Sequence, residues 1–495
     1  MRTIGMFGAV LALSTMACAK GATSPAPKTP SADAAAGSAT EGSIPVAGGA
    51  TDGAPETAYG KEPADLKKSS TWIGASAEGD MLAVGTRDTF LGVWVDVPDA
   101  RPAARPPMEL ALVVDTSGSM AGAKIENARA AARTLVNSLR DGDIVALDAF
   151  SDNARAIVPP TRLDATSRQE ILRAIGNLSV SGSTNMFEGL TLGEGQVAAA
   201  PPTHTIRRVV VISDGIANVG PSTPEVLGAV AERGLRFRAQ VTSLGVGNDY
   251  DERTLNALAM KSSGRLYHLS EPKEMASILK NEVDMLNATL ASDSFVEIVP
   301  APGVQLAGAD GIRADWHEGG SLRIPLGALH AGQHREALVK VRIVDPAAFE
   351  GQTRPLASVR LRFRDAQDGD LERIQEVVAR TQLTGDGDAV ARTANSRTKA
   401  IVAIQESARI QLAAAQRVND GNFGDADREL EKAQRELTAQ ARTVTSAPEK
   451  KRLEAAASNI GAARAATRAM PSAPKAVQRD HALKLNAEAM HQAGF

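Results

Sequence analysis

Apolar positions along this chain change their spacing three times, and each change marks a segment with its own architecture. From residue 72 to about 99, "WIGASAEGDMLAVGTRDTFLGVWVDV" alternates apolar and polar residues in short runs parted by Gly and Asp, the spacing of strands and hairpins. From 109 the pattern becomes strand, helix, strand: "ELALVV", a helix in "KIENARAAARTLVNSLR", "DIVALDAFS", helices near 166–177 and 186–199, "RRVVVIS", a helix near 223–233, "RFRAQVTSLGVG", and helices near 251–262 and 272–288. Such alternation predicts an α/β fold, a doubly wound and mostly parallel sheet covered on both faces, over residues 107–290. Strand spacing returns over 293–364, which predicts a β-sandwich at 291–366; the strands of 71–106 are expected to join it, so that the α/β segment is inserted in or flanked by that sandwich. From 370 to 495 the chain is rich in Ala, Glu, Arg and Gln at 3.6-residue spacing, broken at "NDGNFGDA" and "SAPEKK", and reads as an α-helical hairpin region.

The first 70 residues follow neither pattern. Residues 1–18 place Arg2 before a short uncharged apolar run and then small residues, the layout of a secretory signal peptide. No later stretch of about 18 uncharged apolar residues follows, so no spanning helix is expected. The sequence "STMAC" is similar to a bacterial lipobox, with Thr15 where an aliphatic residue is usual; that resemblance makes Cys18, the single cysteine, the lipid-modified first residue of the mature chain. Cleavage after Ala19 is the competing reading and leaves an unanchored protein. Residues 19–70, mostly Ala, Gly, Ser, Thr and Pro, read as a disordered tether with a reach on the order of 40 Å. The expected location is the cell envelope, lipid-anchored to a bacterial outer membrane, or otherwise periplasmic or secreted.

Composition narrows the partners. A net charge of −3 and a pI near 6.2, without a block of basic residues, argue against nucleic acid and favour a protein partner. Aromatic residues make up 3% of the chain, so its cores must be aliphatic and alanine-rich.

The candidate chemistry lies in "DTSGS", where Asp115, Ser117 and Ser119 follow the first strand of the α/β segment and therefore stand at the carboxyl edge of its sheet. Thr184, in "SGSTNMFEGL", and Asp214, in "VVVISDGIANVG", are expected at the same edge. Two carboxylates and three neutral hydroxyls suit a hard divalent cation, Mg²⁺ or else Mn²⁺ or Ca²⁺. Each motif alone has a plainer reading, such as Ser119 capping a helix, or Gly118 and Gly215 supplying turn dihedrals. Together they resemble the von Willebrand factor type A domain, whose metal-ion-dependent adhesion site is Asp-x-Ser-x-Ser with a distant Thr and a distant Asp. That resemblance covers 108 to about 288. It implies that Ser117, Ser119 and Thr184 bind the ion directly, that Asp115 and Asp214 do so directly or through water, and that a partner's Asp or Glu fills the remaining position.

The order of segments is similar to bacterial proteins related to inter-alpha-trypsin inhibitor heavy chains and calcium-activated chloride channel regulators. "NDGNFGDADRELEKAQREL" is similar to a tetratricopeptide-type hairpin, with Gly421, Gly424 and Ala426 at the turn and contact positions, or is a plain interhelix turn. The expected function is metal-dependent protein binding without catalysis: no HExxH or GxSxG occurs, and His268 and His334 read as strand-surface residues. The alternatives are a structural envelope scaffold whose helical tail binds partners, and a hydrolase built on Ser117 and Asp115.

Overall fold

A computed structural model describes residues 71–492 apart from 101, 103, 104, 270 and 310; Cys18, the signal segment and the tether lie outside the described residues. In chain order the first strands are β1 (Ile73–Ala77), β2 (Met81–Ala83) and β3 (Asp88–Asp96). The α/β segment runs β4 (Met108–Asp115), α1 (Ala123–Ser138), β5 (Ile144–Phe150), β6 (Ala154–Arg162), α2 (Ala165–Gly176), α3 (Met186–Ala198), β7 (Ile206–Ser213), α4 (Pro224–Gly234), β8 (Ala239–Val246), α5 (Glu252–Ser262), β9 (Arg265–Leu269) and α6 (Met275–Asn287). Its sheet has the order β6-β5-β4-β7-β8-β9. All neighbours are parallel except β5 and β6.

Every residue of β4, β5 and β8 is buried, as helices on both faces demand. The edge strand β6 is absent from the sequence reading for a physical reason: "ARAIVPPTR" has mostly exposed positions and two prolines, which only an edge strand tolerates. From β4 the chain steps to β5 on one side, then returns to β7 on the other. This reversal opens a crevice at the carboxyl ends of β4 and β7.

Beyond it come β10 (Thr289–Pro300), β11 (Val304–Ala309), β12 (Asp315–Trp316), β13 (Leu322–His330), β14 (His334–Ile343), β15 (Arg354–Asp365) and β16 (Leu371–Thr384). They form two sheets with the first strands, β1-β3-β14-β11 and β12-β13-β10-β15-β16-β2. β3 pairs antiparallel with β14 from His334↔Asp96 to Arg342↔Asp88, and Leu91, Val93, Val341, Val359 and Leu361 are part of the buried core of these sheets. The α/β segment thus leaves the chain after β3 and returns to it at β10.

Strand β16 corrects the expectation of helix from 370. Its sequence, "LERIQEVVARTQLT", has the charged composition of a surface helix, but a tight turn with positive φ at Gly369 and Asp370 folds it back along the whole of β15. Arg360 and Arg362 then meet Glu376 and Glu372 across the pair.

The helices that follow are α7 (Gly387–Arg392), α8 (Ser396–Asn419), α9 (Phe423–Thr443), α10 (Ala447–Ala469) and α11 (Lys475–Gln492). Gly421 takes φ +78° in the α8–α9 turn and Ala426 is fully buried there, whereas a Cβ at Gly424 would meet only the end of Arg428 at 4.0 Å. α8 rests on the sandwich: Arg397 grips Asp96 at 2.8 and 2.9 Å and lies 4.5 Å over the Trp94 ring. Among the described residues no helix is long and apolar enough to cross a membrane.

Candidate metal centre

Asp115 ends β4 and Asp214 directly follows β7, so both carboxylates enter the crevice from below, and both are fully buried. Asp115 folds its own loop back: its Oδ1 accepts from Ser117 N at 2.8 Å, and its Oδ2 accepts from Ser213 Oγ at 2.6 Å. The loop then carries Ser117 Oγ to 3.0 Å from Ser119 Oγ, and Ser119 donates to Asp214 Oδ1 at 2.8 Å. Thr184 arrives from the loop before α3. It is fixed from both sides, since its N donates to Asn218 Oδ1 at 2.9 Å and its O accepts from Asn218 N at 3.0 Å. Gly118 N donates to Gly182 O at 3.0 Å, which ties the first loop to the second.

The structure therefore brings Asp115, Ser117, Ser119, Thr184 and Asp214 to one crevice. Ser117 and Thr184 are nearly buried and Ser119 is exposed, so the cluster opens to solvent on the Ser119 side. Neither Gly118 nor Gly215 takes a positive φ, so neither supplies the left-handed turn its composition suggested. Gly215 instead supplies space: an ideal Cβ there would stand 3.3 Å from Thr184 Oγ1 and 3.6 Å from Ser119 Oγ.

Three residues at the site escape the sequence reading. Ser213 and Asn218 hold Asp115 and Thr184 in place. Lys124, in the first turn of α1, sets its ammonium against Asp214 Oδ2. Burial raises the Asp115 carboxyl and the charge of Asp214 adds to that, while hydrogen bonds from Ser213 and Ser117 oppose it. Two buried carboxylates face one ammonium, a balance that leaves room for a further cation. Among the described residues no three His, Cys, Asp or Glu side chains gather at metal-holding distance. This site takes its remaining oxygens from hydroxyls, and an all-oxygen set with few charges fits a hard divalent ion.

The two histidines read as surface groups are engaged elsewhere. The His268 side chain is buried, with Nδ1 3.0 Å from Tyr250 Oη and Nε2 3.3 Å from Asp480 on α11. His334 is half-exposed and bridges Asp96 and Glu336.

The family model of the von Willebrand factor type A domain matches residues 109–281. The chain carries a type A domain. Within curated proteins it is 26% identical over 212 residues to the uncharacterised protein YfbK of Escherichia coli (42% of this chain, 36% of that protein). It is 28% identical over 280 residues to the uncharacterised protein sll0103 of Synechocystis sp. (51% and 65%). It is 28% identical over 177 residues to human inter-alpha-trypsin inhibitor heavy chain H3 (33% and 20%). The matches thus span between 20% and 65% of these relatives' own lengths.

The fold is similar to that of the von Willebrand factor type A protein of Catenulispora acidiphila, with TM-score 0.68 at 18% identity, over 85% of this chain and 96% of that one. It is also similar to the ArnB paralog VWA2 of Sulfolobus acidocaldarius, with TM-score 0.55 at 13% identity, over 85% and 98%. Both likenesses extend well beyond the type A domain into the sandwich and helices. Type A domains commonly mediate protein–protein interaction and adhesion, and often hold a divalent metal at the adhesion site.

Proposed function

We propose that this chain is a non-enzymatic, cell-envelope protein that binds a protein partner through a divalent cation at the type A site. Ser117, Ser119 and Thr184 would hold the ion through their hydroxyls, and Asp115 and Asp214 directly or through water. When bound, the ion would supply electrophilic pull on an Asp or Glu of the partner. The observation that carries this reading is the hydrogen-bonded run Ser117–Ser119–Asp214 beside Thr184, which aims hydroxyl and carboxylate oxygens into one solvent-open crevice. Neutral hydroxyls leave an ion's charge largely uncompensated, so a carboxylate from outside gains a strong contact. Mg²⁺ is the favoured ion, with Mn²⁺ and Ca²⁺ as alternatives, and a lipid on Cys18 would hold the chain to the outer membrane.

Calorimetric unfolding of the full chain in Mg²⁺, Mn²⁺ and EDTA tests the site. At a free ion concentration about a hundred times Kd the native state should gain about 2.7 kcal/mol. Identical melting in all three solutions would remove the ion from the mechanism. Capture of partners from an envelope extract should in addition fail with EDTA and with Thr184→Ala, while Thr184→Ala still melts cooperatively. Mass spectrometry of the mature N-terminus tests the anchor, since an unmodified Lys20 would mean that cleavage follows Ala19.

A further inference from the structure

At the opposite, amino end of β7 and β8 lies a second cavity, a cleft of about 790 Å³ between the end of α4 and the face of β10 and β13. Its lining includes six arginines, Arg207, Arg233, Arg236, Arg238, Arg313 and Arg323, and only two acids, Glu232 and Asp293. Two of the arginines are locally neutralised: Arg238 by Asp293 and Asp370, and Arg313 by Asp315 and Glu232. The others are not. Arg207 spends its guanidinium on the carbonyls of His204, Phe237 and Ala200, which orient it without cancelling its charge. Arg233 and Arg236 are exposed and make no ion pair among the described residues. Arg323 stacks 4.2 Å from the Phe295 ring centre and has only Glu297, at 3.8 Å, which Arg360 and Arg362 share.

Neutralisation from beneath is also weak. Glu109 lies under Arg207 and Glu194 under Arg233, both buried, and none of their carboxylate oxygens has a hydrogen-bond partner among the described residues. Burial pushes them up, to about 7 and about 8, which weakens their negative charge near neutral pH. The carboxyl end of α4 also points here, and the positive side chain in its last turn complements that dipole. The helix half-charge, Glu109 and the shared Glu297 together fall short of the four guanidinium groups of Arg207, Arg233, Arg236 and Arg323.

We propose that this cleft binds a small ligand carrying two or more oxyanion groups, phosphate or carboxylate, at a site separate from the metal crevice. The volume is that of a small-molecule site, and the planar fork of arginine donors matches both anion types. Because the cleft sits at the amino ends of the strands and the metal crevice at their carboxyl ends, both can be filled at once.

Isothermal titration of the full chain in metal-free buffer at low ionic strength tests it, with tripolyphosphate and citrate as probes; without divalent ions the metal reading is not engaged, so its failure stays separate. At least one probe should bind, more weakly as salt is added. The double variant Arg233→Ala with Arg236→Ala, at exposed unpaired positions, should bind at least tenfold more weakly. A control with the same charge change on α9, Arg428→Ala with Arg435→Ala, should bind as the native chain does. The tighter probe identifies the ligand as a phosphate or a carboxylate compound. Absence of binding for both probes overturns the proposal, as does equal weakening in the cleft and control variants or native affinity in the cleft variant.

Discussion

Gly215 has no side chain, and Thr184 and Ser119 approach one another across the place where one would stand. A methyl group there would crowd the Thr184 and Ser119 hydroxyls and reach the Thr184 methyl at 3.9 Å, on the side where an ion would sit, and these side-chain ends can shift. Gly215→Ala should therefore melt within about 1 kcal/mol of the native chain in EDTA and gain nothing from Mg²⁺. Lys124 acts in the other direction. Its ammonium pairs with Asp214 and would compete with an ion for it, so Lys124→Met should lower stability in EDTA by about 1–3 kcal/mol, the cost of an unpaired buried carboxylate. The same variant should enlarge the gain from Mg²⁺; an unchanged gain would mean that the ammonium and the ion do not share Asp214. The convergence of Asp115, Ser117, Ser119, Thr184 and Asp214 was legible because each stands beside a strand or helix end and the set together resembles the type A pattern. Lys124 was not, since nine residues after Asp115 it reads as the polar face of a helix, and Asn218 looks like an ordinary turn residue.

Elements inside the α/β segment were legible wherever a run was uniformly apolar, as in β4, or evenly amphipathic, as in α1. Legibility failed for β6 and β16, whose pairing is dictated by a neighbouring strand rather than by an apolar face of their own. Packing between elements also produces a pH dependence that composition does not show. Glu194, on α3 against α4, is pushed by burial to about 8, so the folded chain holds a proton that the unfolded chain has already released. Stability therefore falls as pH rises from the ordinary carboxylate range to about 8. Glu109 and Asp148, pushed by burial to about 7, level off earlier. The fall in urea midpoint from pH 7 to pH 8 should be smaller for Glu194→Gln than for the native chain, the remainder coming from Glu109 and Asp148. Glu336, where β14 meets α10, has the opposite sign: burial would raise it, but hydrogen bonds from His334 and Arg452 outweigh that and hold it down to about 2. Its contribution is present above about 4.5 and is lost as pH falls towards 2. Arg452→Ala should accordingly unfold at a higher pH during acid titration.

At the scale of the whole molecule, α11 is fastened to the flank of the candidate metal crevice. Arg479 donates to Asn248 O at 3.3 Å and Tyr250 O at 3.2 Å and pairs with Glu252, and Asn248 donates back to Ala476 O at 3.1 Å. That loop begins at Gly247, whose ideal Cβ would lie 3.7 Å from Lys124. Arg479→Ala should speed hydrogen exchange at the amides of 247–252 and leave those of β4 protected. The insertion of the α/β segment between β3 and β10 has a further effect, on timing. During synthesis β3 cannot meet β14 until the 238 residues after Asp96, up to and including His334, have been made. At about 5–20 residues per second that is a wait of roughly 10–50 s. The type A domain, whose strands all lie between β4 and β9, can close meanwhile, but β1 and β3 stand as a bare two-stranded ribbon with both edges open. The nascent chain is thus most prone to stray pairing while its type A domain is already closed. Slowing the ribosome between residues 100 and 330 should raise aggregation of the newborn protein, and slowing it after 384 should not.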